Sequence, residues 1–124
     1  MEIVDANVIL RYLLKDHKSH FIKSKEIIDH REIYIPMEVL AEVVYVLEKV
    51  YDIPSGRICF ALTELLAYQN ISTVDKAVSY ESLNIYKTEN IDFVDALLVS
   101  YHRVNHHRIH SFDKKVNKLC RSVQ

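Results

Sequence analysis

Apolar residues recur along this chain in two spacings. Four short runs, "EIVD" (2–5), "EIYI" (32–35), "ISTV" (71–74) and "RIHSF" (108–112), have the length and branched content of strands. Longer stretches repeat at three and four residues: Leu40, Val43, Val44, Leu47 and Val50 mark one helical face, and Ile58, Leu62, Leu65 and Leu66 another. Pro36 and Pro54 stand where first-turn prolines belong. Residues 17–30, 75–88 and 92–104 read as further helices, and one more opens near Asn7. Strand and helix therefore alternate with short joins, which predicts an α/β layer fold with a mainly parallel sheet.

Composition narrows the chemistry. With 124 residues, 49% of them hydrophobic, the chain suits one core, and a single domain over 1–124 is expected. No run approaches the roughly 20 apolar residues of a membrane span, and the acidic start is unlike a signal peptide, so a cytoplasmic protein with no membrane contact is expected. Cys59 and Cys120 form no CxxC pair and read as buried thiols. The net charge of −1 gives no overall basic field, so any nucleic-acid contact must rest on a local patch. Gly56 is the single glycine, which rules out Walker A loops, dinucleotide fingerprints and the GxSxG elbow. HExxH and zinc-finger spacings are also absent. The chemistry must come from carboxylates, histidines or basic residues.

Four acidic residues stand out. Asp5 follows the first apolar run and Asp113 the fourth, so both are expected at carboxyl ends of parallel strands, on one edge of the sheet where ligands gather. Asp5 also suits the N-cap of the helix that follows. Glu42 flanks the apolar stripe of "LAEVVYVL". Asp95 interrupts "FVDALLV", where a first-turn carboxylate behind an Asp92 cap is the plain alternative to a site residue. Two carboxylates about 5 Å apart repel by roughly 3 kcal/mol at an effective dielectric near 20. A divalent cation relieves that repulsion, and hard oxygen donors favour Mg²⁺ or Mn²⁺ over zinc. The chemistry suggested is phosphodiester hydrolysis.

"DANVILRYLL", "EVVYVLEKVY", "DFVDALLVSY" and "SFDKKV", taken in that order, resemble the PIN-domain nucleases, particularly VapC-type toxins of toxin–antitoxin pairs. The resemblance covers almost the whole chain and implies a PIN-like three-layer fold. It also implies that Asp5, Glu42, Asp95 and Asp113 form the family's acidic quartet around Mg²⁺ or Mn²⁺. Asp5, Asp95 and Asp113 would ligate directly, and Glu42 directly or through water. Asn7 matches the polar residue beside the first aspartate, and Ser111 the small hydroxyl residue before the last. This chain has D-A-N where D-T-N is the common form, which removes a hydroxyl but no ligand. An RNA substrate, a homodimer and a small antitoxin protein as partner follow from the resemblance alone.

Basic residues complete the reading. Arg103 and Arg108, with His102, His106, His107 and His110, flank Asp95 and Asp113 as a phosphate-binding rim or a solvated helix end. Arg11, near Asp5, carries the same two readings. His102 and His106 are spaced i, i+4, so a second metal site is conceivable, although cations are ordinarily welcome at a helix end. Tyr45 and Tyr101 are assigned to core faces. The reading is thus a metal-dependent endoribonuclease. Its rivals are a non-catalytic RNA-binding or partner-binding module, and, more distantly, an aspartate-dependent phosphatase whose D-x-D pair is D-A-N here.

Overall fold

A computed structural model of the chain describes residues 1–121. The chain divides into two compact units, Met1–Val74 and Asp75–Gln124.

The first unit holds the sheet. Its elements run β1 (Glu2–Ile3), α1 (Ala6–Leu14), α2 (Lys18–His30), β2 (Ile33–Tyr34), α3 (Met37–Lys49), α4 (Ser55–Leu66) and β3 (Ile71–Ser72). The strands lie in the order β1-β2-β3, all parallel, with Glu2 opposite Ile33 and Ile33 opposite Ile71. A helix pair fills each crossover, as parallel neighbours require. The central strand is buried at Ile33, continued by Ile35, and β3 at Ile71, whereas Ile3 on the edge strand is 67% exposed. Asn70 fastens this arrangement: its side-chain amide donates to the carbonyls of Ile28 (2.6 Å) and Arg31 (2.8 Å), tying the end of α2 to the entrance of β3.

The helices follow their apolar spacing. Leu40, Val43, Val44 and Leu47 are buried along α3, and Ile58, Leu62, Leu65 and Leu66 along α4. Val50, the last member of the α3 stripe, is the C-cap and is exposed. Tyr45 is 62% exposed, which corrects its assignment to the core. It stands about 140° around the helix from Leu40, away from the buried stripe, at 100° per residue. Pro36 and Pro54 occupy the N-cap positions of α3 and α4, one residue before the first turn. Tyr12 on α1 ties neighbouring segments, its hydroxyl lying 3.2 Å from Asp29 of α2 and 2.9 Å from the Tyr68 hydroxyl. Burial, then Tyr68 and Asp29, hold that phenol well above its usual range.

The second unit is helical among its described residues: α5 (Lys76–Glu89), α6 (Phe93–Asn105) and α7 (Lys114–Arg121). α5 packs along α6, and α6 also meets α7. Ser79, Ser82 and Ser100 are buried and return their hydroxyl protons to carbonyls of their own chain segment, Ser82 to Ser79 and Ser100 to Ala96, each at 2.8 Å. No polar hydrogen is stranded by placing these small residues inside.

One predicted strand does not form. Residues 108–112 are irregular: Ile109 and Ser111 are partly covered, while Arg108, His110 and Phe112 are exposed. A strand needs a buried alternating set to pin its register, and no side chain of this segment is buried. Asp113 therefore does not end a strand, and the premise that put it on one sheet edge with Asp5 is withdrawn. The chain instead enters α7, whose Val116 and Leu119 are buried at helical spacing. Among the described residues four adopt positive φ, Lys15, Asp52, Asn90 and His106, and three of them are helix C-caps; none is a glycine. No helix among the described residues is long and apolar enough to cross a membrane.

Candidate active site

Asp5 sits just past β1 as the N-cap of α1, its carboxylate accepting the Val8 N–H at 3.1 Å. The capping role is thus real, and the side chain remains exposed. It borders a groove of about 890 Å³ whose apolar lining includes Ile3, Val8, Ile22, Ile27 and Val39. Asn7 and Glu42 are also exposed, Glu42 on α3 between buried Leu40 and buried Val43 and Val44. Arg11 is engaged: it forms a two-pronged pair with Asp16 (2.8 and 3.0 Å) and donates to the Tyr51 hydroxyl at 3.0 Å. The Tyr51 bond above all, with Asp16, raises its pKa further. That geometry fixes the start of α2 against the loop after α3, and the Arg11 guanidinium is taken up by it.

In the second unit Asp95 lies in the field of Asp113. Asp95 lies in the first turn of α6, where Phe93, Ala96 and Leu97 are buried and Asp95 itself is half-buried. Asp92 occupies the N-cap position without a side-chain cap bond, its carbonyl taking the Ala96 N–H at 2.9 Å. Burial first, then the charge of Asp113, then that of Asp92, push the Asp95 pKa up. These outweigh the favourable helix N-terminus, which supplies about 0.3–1 kcal/mol at exposed sites. A cation would relieve a carboxylate lying in the field of two others.

The loop before α7 is closely tied. Ser111 Oγ accepts the Asp113 N–H at 2.9 Å, Asp113 Oδ1 accepts the Val116 N–H at 3.0 Å, and Asn117 Nδ2 donates to the Ser111 carbonyl at 2.8 Å. Ser111 is therefore a turn-former that aims Asp113. Asp113→Asn keeps a capping oxygen and Asp113→Ala removes it. Urea unfolding is expected to find the alanine variant about 1 kcal/mol less stable than the asparagine variant. Equal stabilities would show that the cap carries no weight.

The basic residues part into two groups. Arg103 turns inward, meeting Glu81 at 3.4 Å and the Leu119 carbonyl at 3.3 Å, with its buried Nε unpartnered. It is a tie between helices, and its guanidinium is committed. Arg108 and His110 stay exposed along a depression of about 390 Å³ that Ser111, Phe112 and Asn117 also line. His102 Nδ1 lies 2.9 Å from the His107 carbonyl, so that nitrogen carries the proton. His106 is the left-handed C-cap of α6.

Among the described residues no group of three or more His, Cys, Asp or Glu side chains is close enough to hold a metal ion. Asp95 and Asp113 supply hard oxygen donors of the type Mg²⁺ takes, an ion that usually keeps several waters and uses only one or two carboxylates. Phe112 is the residue the sequence reading passed over. As part of an expected strand it needed no role, yet it is fully exposed beside Asp113. Its place between Ser111 and Asp113, with Arg108, Lys114 and Lys115 close in sequence, was the available signal.

No curated protein and no solved structure gives a match to the chain. The family model of the PIN domain matches residues 3–121. That span runs through both units and carries all four acidic positions, and with the parallel three-stranded sheet and its crossover helices, the chain belongs to the PIN-domain family.

Proposed function

We propose that this PIN domain is a Mg²⁺- or Mn²⁺-dependent endoribonuclease acting as the toxin of a toxin–antitoxin pair. The observation that carries the proposal is the half-buried Asp95 lying within the field of Asp113 on a fixed loop. Asp95 and Asp113 would hold the ion. Asp5 and Glu42 belong to the first unit and enter through the family pattern, Asp5 as a ligand and Glu42 as added negative charge. When bound, a divalent ion supplies positive charge for a phosphoryl oxygen and makes water a stronger nucleophile. The protein's own contribution is to hold Asp95 poorly solvated beside other negative charge, and to hold Asp113 in place through Ser111 and Asn117. Homodimerisation and an antitoxin partner rest on the family resemblance, and the cytoplasm is the compartment proposed.

The test is incubation of a panel of structured RNAs with Mg²⁺, Mn²⁺ or EDTA, followed by end-group analysis. Cleavage only with a divalent ion, leaving 5′-phosphate and 3′-hydroxyl ends, is the result expected. Cyclic 2′,3′-phosphate ends formed equally well in EDTA would instead assign the reaction to attack by the RNA 2′-hydroxyl, with a histidine as general base. RNA binding with no cleavage under any condition would favour the non-catalytic module.

A further inference from the structure

We propose that Phe112 is a stacking platform for an unpaired base of a single-stranded nucleic acid, and that the cationic segment around it takes the adjoining phosphates. The identification of the strand as RNA rests on the nuclease reading above.

Three observations converge on this ring. Phe112 has a relative exposure of 106%, more than full exposure, although apolar rings on a folded surface usually lean on something. The backbone that presents it is not loose. Asn117 holds the carbonyl of the preceding residue, Ser111 Oγ holds the N–H of the following one, and Asp113 is itself the cap of α7. A fixed loop that projects an uncovered aromatic ring has less ordering entropy left to lose on binding, which favours affinity.

Charge identifies the occupant. The chain as a whole carries −1, but residues 106–121 contain five Lys or Arg against the single acid Asp113, together with three histidines. Arg108 and His110 share the depression with Phe112, and both side chains are exposed. An apolar protein partner would leave the Arg108 cation and the polar His110 ring desolvated and unpaired. A polyanion with exposed π-faces satisfies both features, and single strands combine cationic tracking with base stacking in this way. Duplexes keep their bases stacked inside and cannot offer one to the ring.

The chain has no tryptophan, so Phe112→Trp places a unique fluorophore at the position. The probes are a fluorescein-labelled single-stranded RNA of about twelve nucleotides and its perfect duplex, in EDTA so that the RNA stays intact. Emission of the introduced indole is expected to be quenched by the single strand and not by the duplex. By anisotropy, Phe112→Ala is expected to weaken single-strand binding about 5- to 150-fold, with Phe112→Tyr close to wild type. Arg108→Ala is expected to flatten the salt dependence by about one phosphate contact. Because the ring is fully exposed, the alanine variant should melt with the wild type.

Unmoved indole emission while anisotropy reports binding overturns the proposal, as does wild-type affinity in Phe112→Ala. If that alanine variant loses a dimer on gel filtration with RNA affinity unchanged, the ring is a contact between copies and the proposal is overturned. Cleavage by the wild type, with the indole of Phe112→Trp silent, removes only the stacking. Quenching and binding without cleavage remove only the nuclease reading. Neither binding nor cleavage removes both.

Discussion

Asp95→Asn is expected to lower the cleavage rate by roughly 10²–10³-fold, the range that loss of one electrostatic element of an active site spans, and at the same time to raise the melting temperature. The two effects share a cause. Burial, Asp113 and Asp92 hold the Asp95 pKa above its usual range, so the folded state binds that proton more tightly than the unfolded state. Stability from this group is therefore lost as pH rises from the ordinary carboxylate range through the raised value, and the penalty is complete above it. Asparagine has no charge to desolvate. Its thermal advantage over the wild type should be full above the raised value and vanish below the ordinary carboxylate range. Mn²⁺ should raise the melting temperature of the wild type, by about 2.7 kcal/mol of stability at a hundredfold excess over the dissociation constant, and leave Asp95→Asn nearly unmoved. A variant that melts lower than wild type at neutral pH, or that cleaves at full rate, would remove Asp95 from the proposed centre.

Ile33→Ala is expected to cost about 2–5 kcal/mol and to lower the melting temperature by roughly 10 °C or more. Ile33 is wholly buried on the central strand, paired with Glu2 on one side and Ile71 on the other. Truncation leaves a cavity that two-residue strands have little freedom to close. The comparison is Ile3→Ala on β1, where 67% exposure should confine the loss to about 0.5 kcal/mol. Thermal and urea unfolding of the two variants side by side measure this. Similar losses would mean that the edge strand carries a covered face after all.

Six of the seven helices among the described residues were legible in the sequence, most of them from a buried apolar stripe; α7 was not, because its eight residues bury only Val116 and Leu119. Leu62, Leu65 and Leu66 announce α4 and are buried as their spacing requires. Three of the four expected strands formed, each shorter than the apolar run that signalled it, since the ladder covers only two residues per strand. The fourth, at 108–112, failed because partly covered side chains cannot select a register, whereas the hydrogen bonds of Ser111, Asp113 and Asn117 select a turn. Asp5 was expected to cap the helix that follows it and does so, whereas the sequence, read as a strand running into Asp113, did not show that Asp113 caps α7 in the same way. Arg11 and Arg103 illustrate the opposite limit. Nothing in their local pattern reveals that Asp16, Tyr51, Glu81 and the Leu119 carbonyl claim their guanidinium groups.

The left-handed caps have a consequence for the unfolded chain. A typical sequence has about 7% glycine, and part of that serves helix ends of the kind found at Lys15, Asn90 and His106. Here those turns are made by residues with side chains, at a local strain of about 1–2 kcal/mol where the residue is neither Asn nor Asp. Gly56, the one glycine, has no positive φ and has open space where a Cβ would lie. The denatured ensemble accordingly has fewer backbone conformations per residue to lose, and each glycine forgone at a compatible position is worth about 0.4–1 kcal/mol. Strain concentrated at two helix ends is offset by entropy spread along the whole chain.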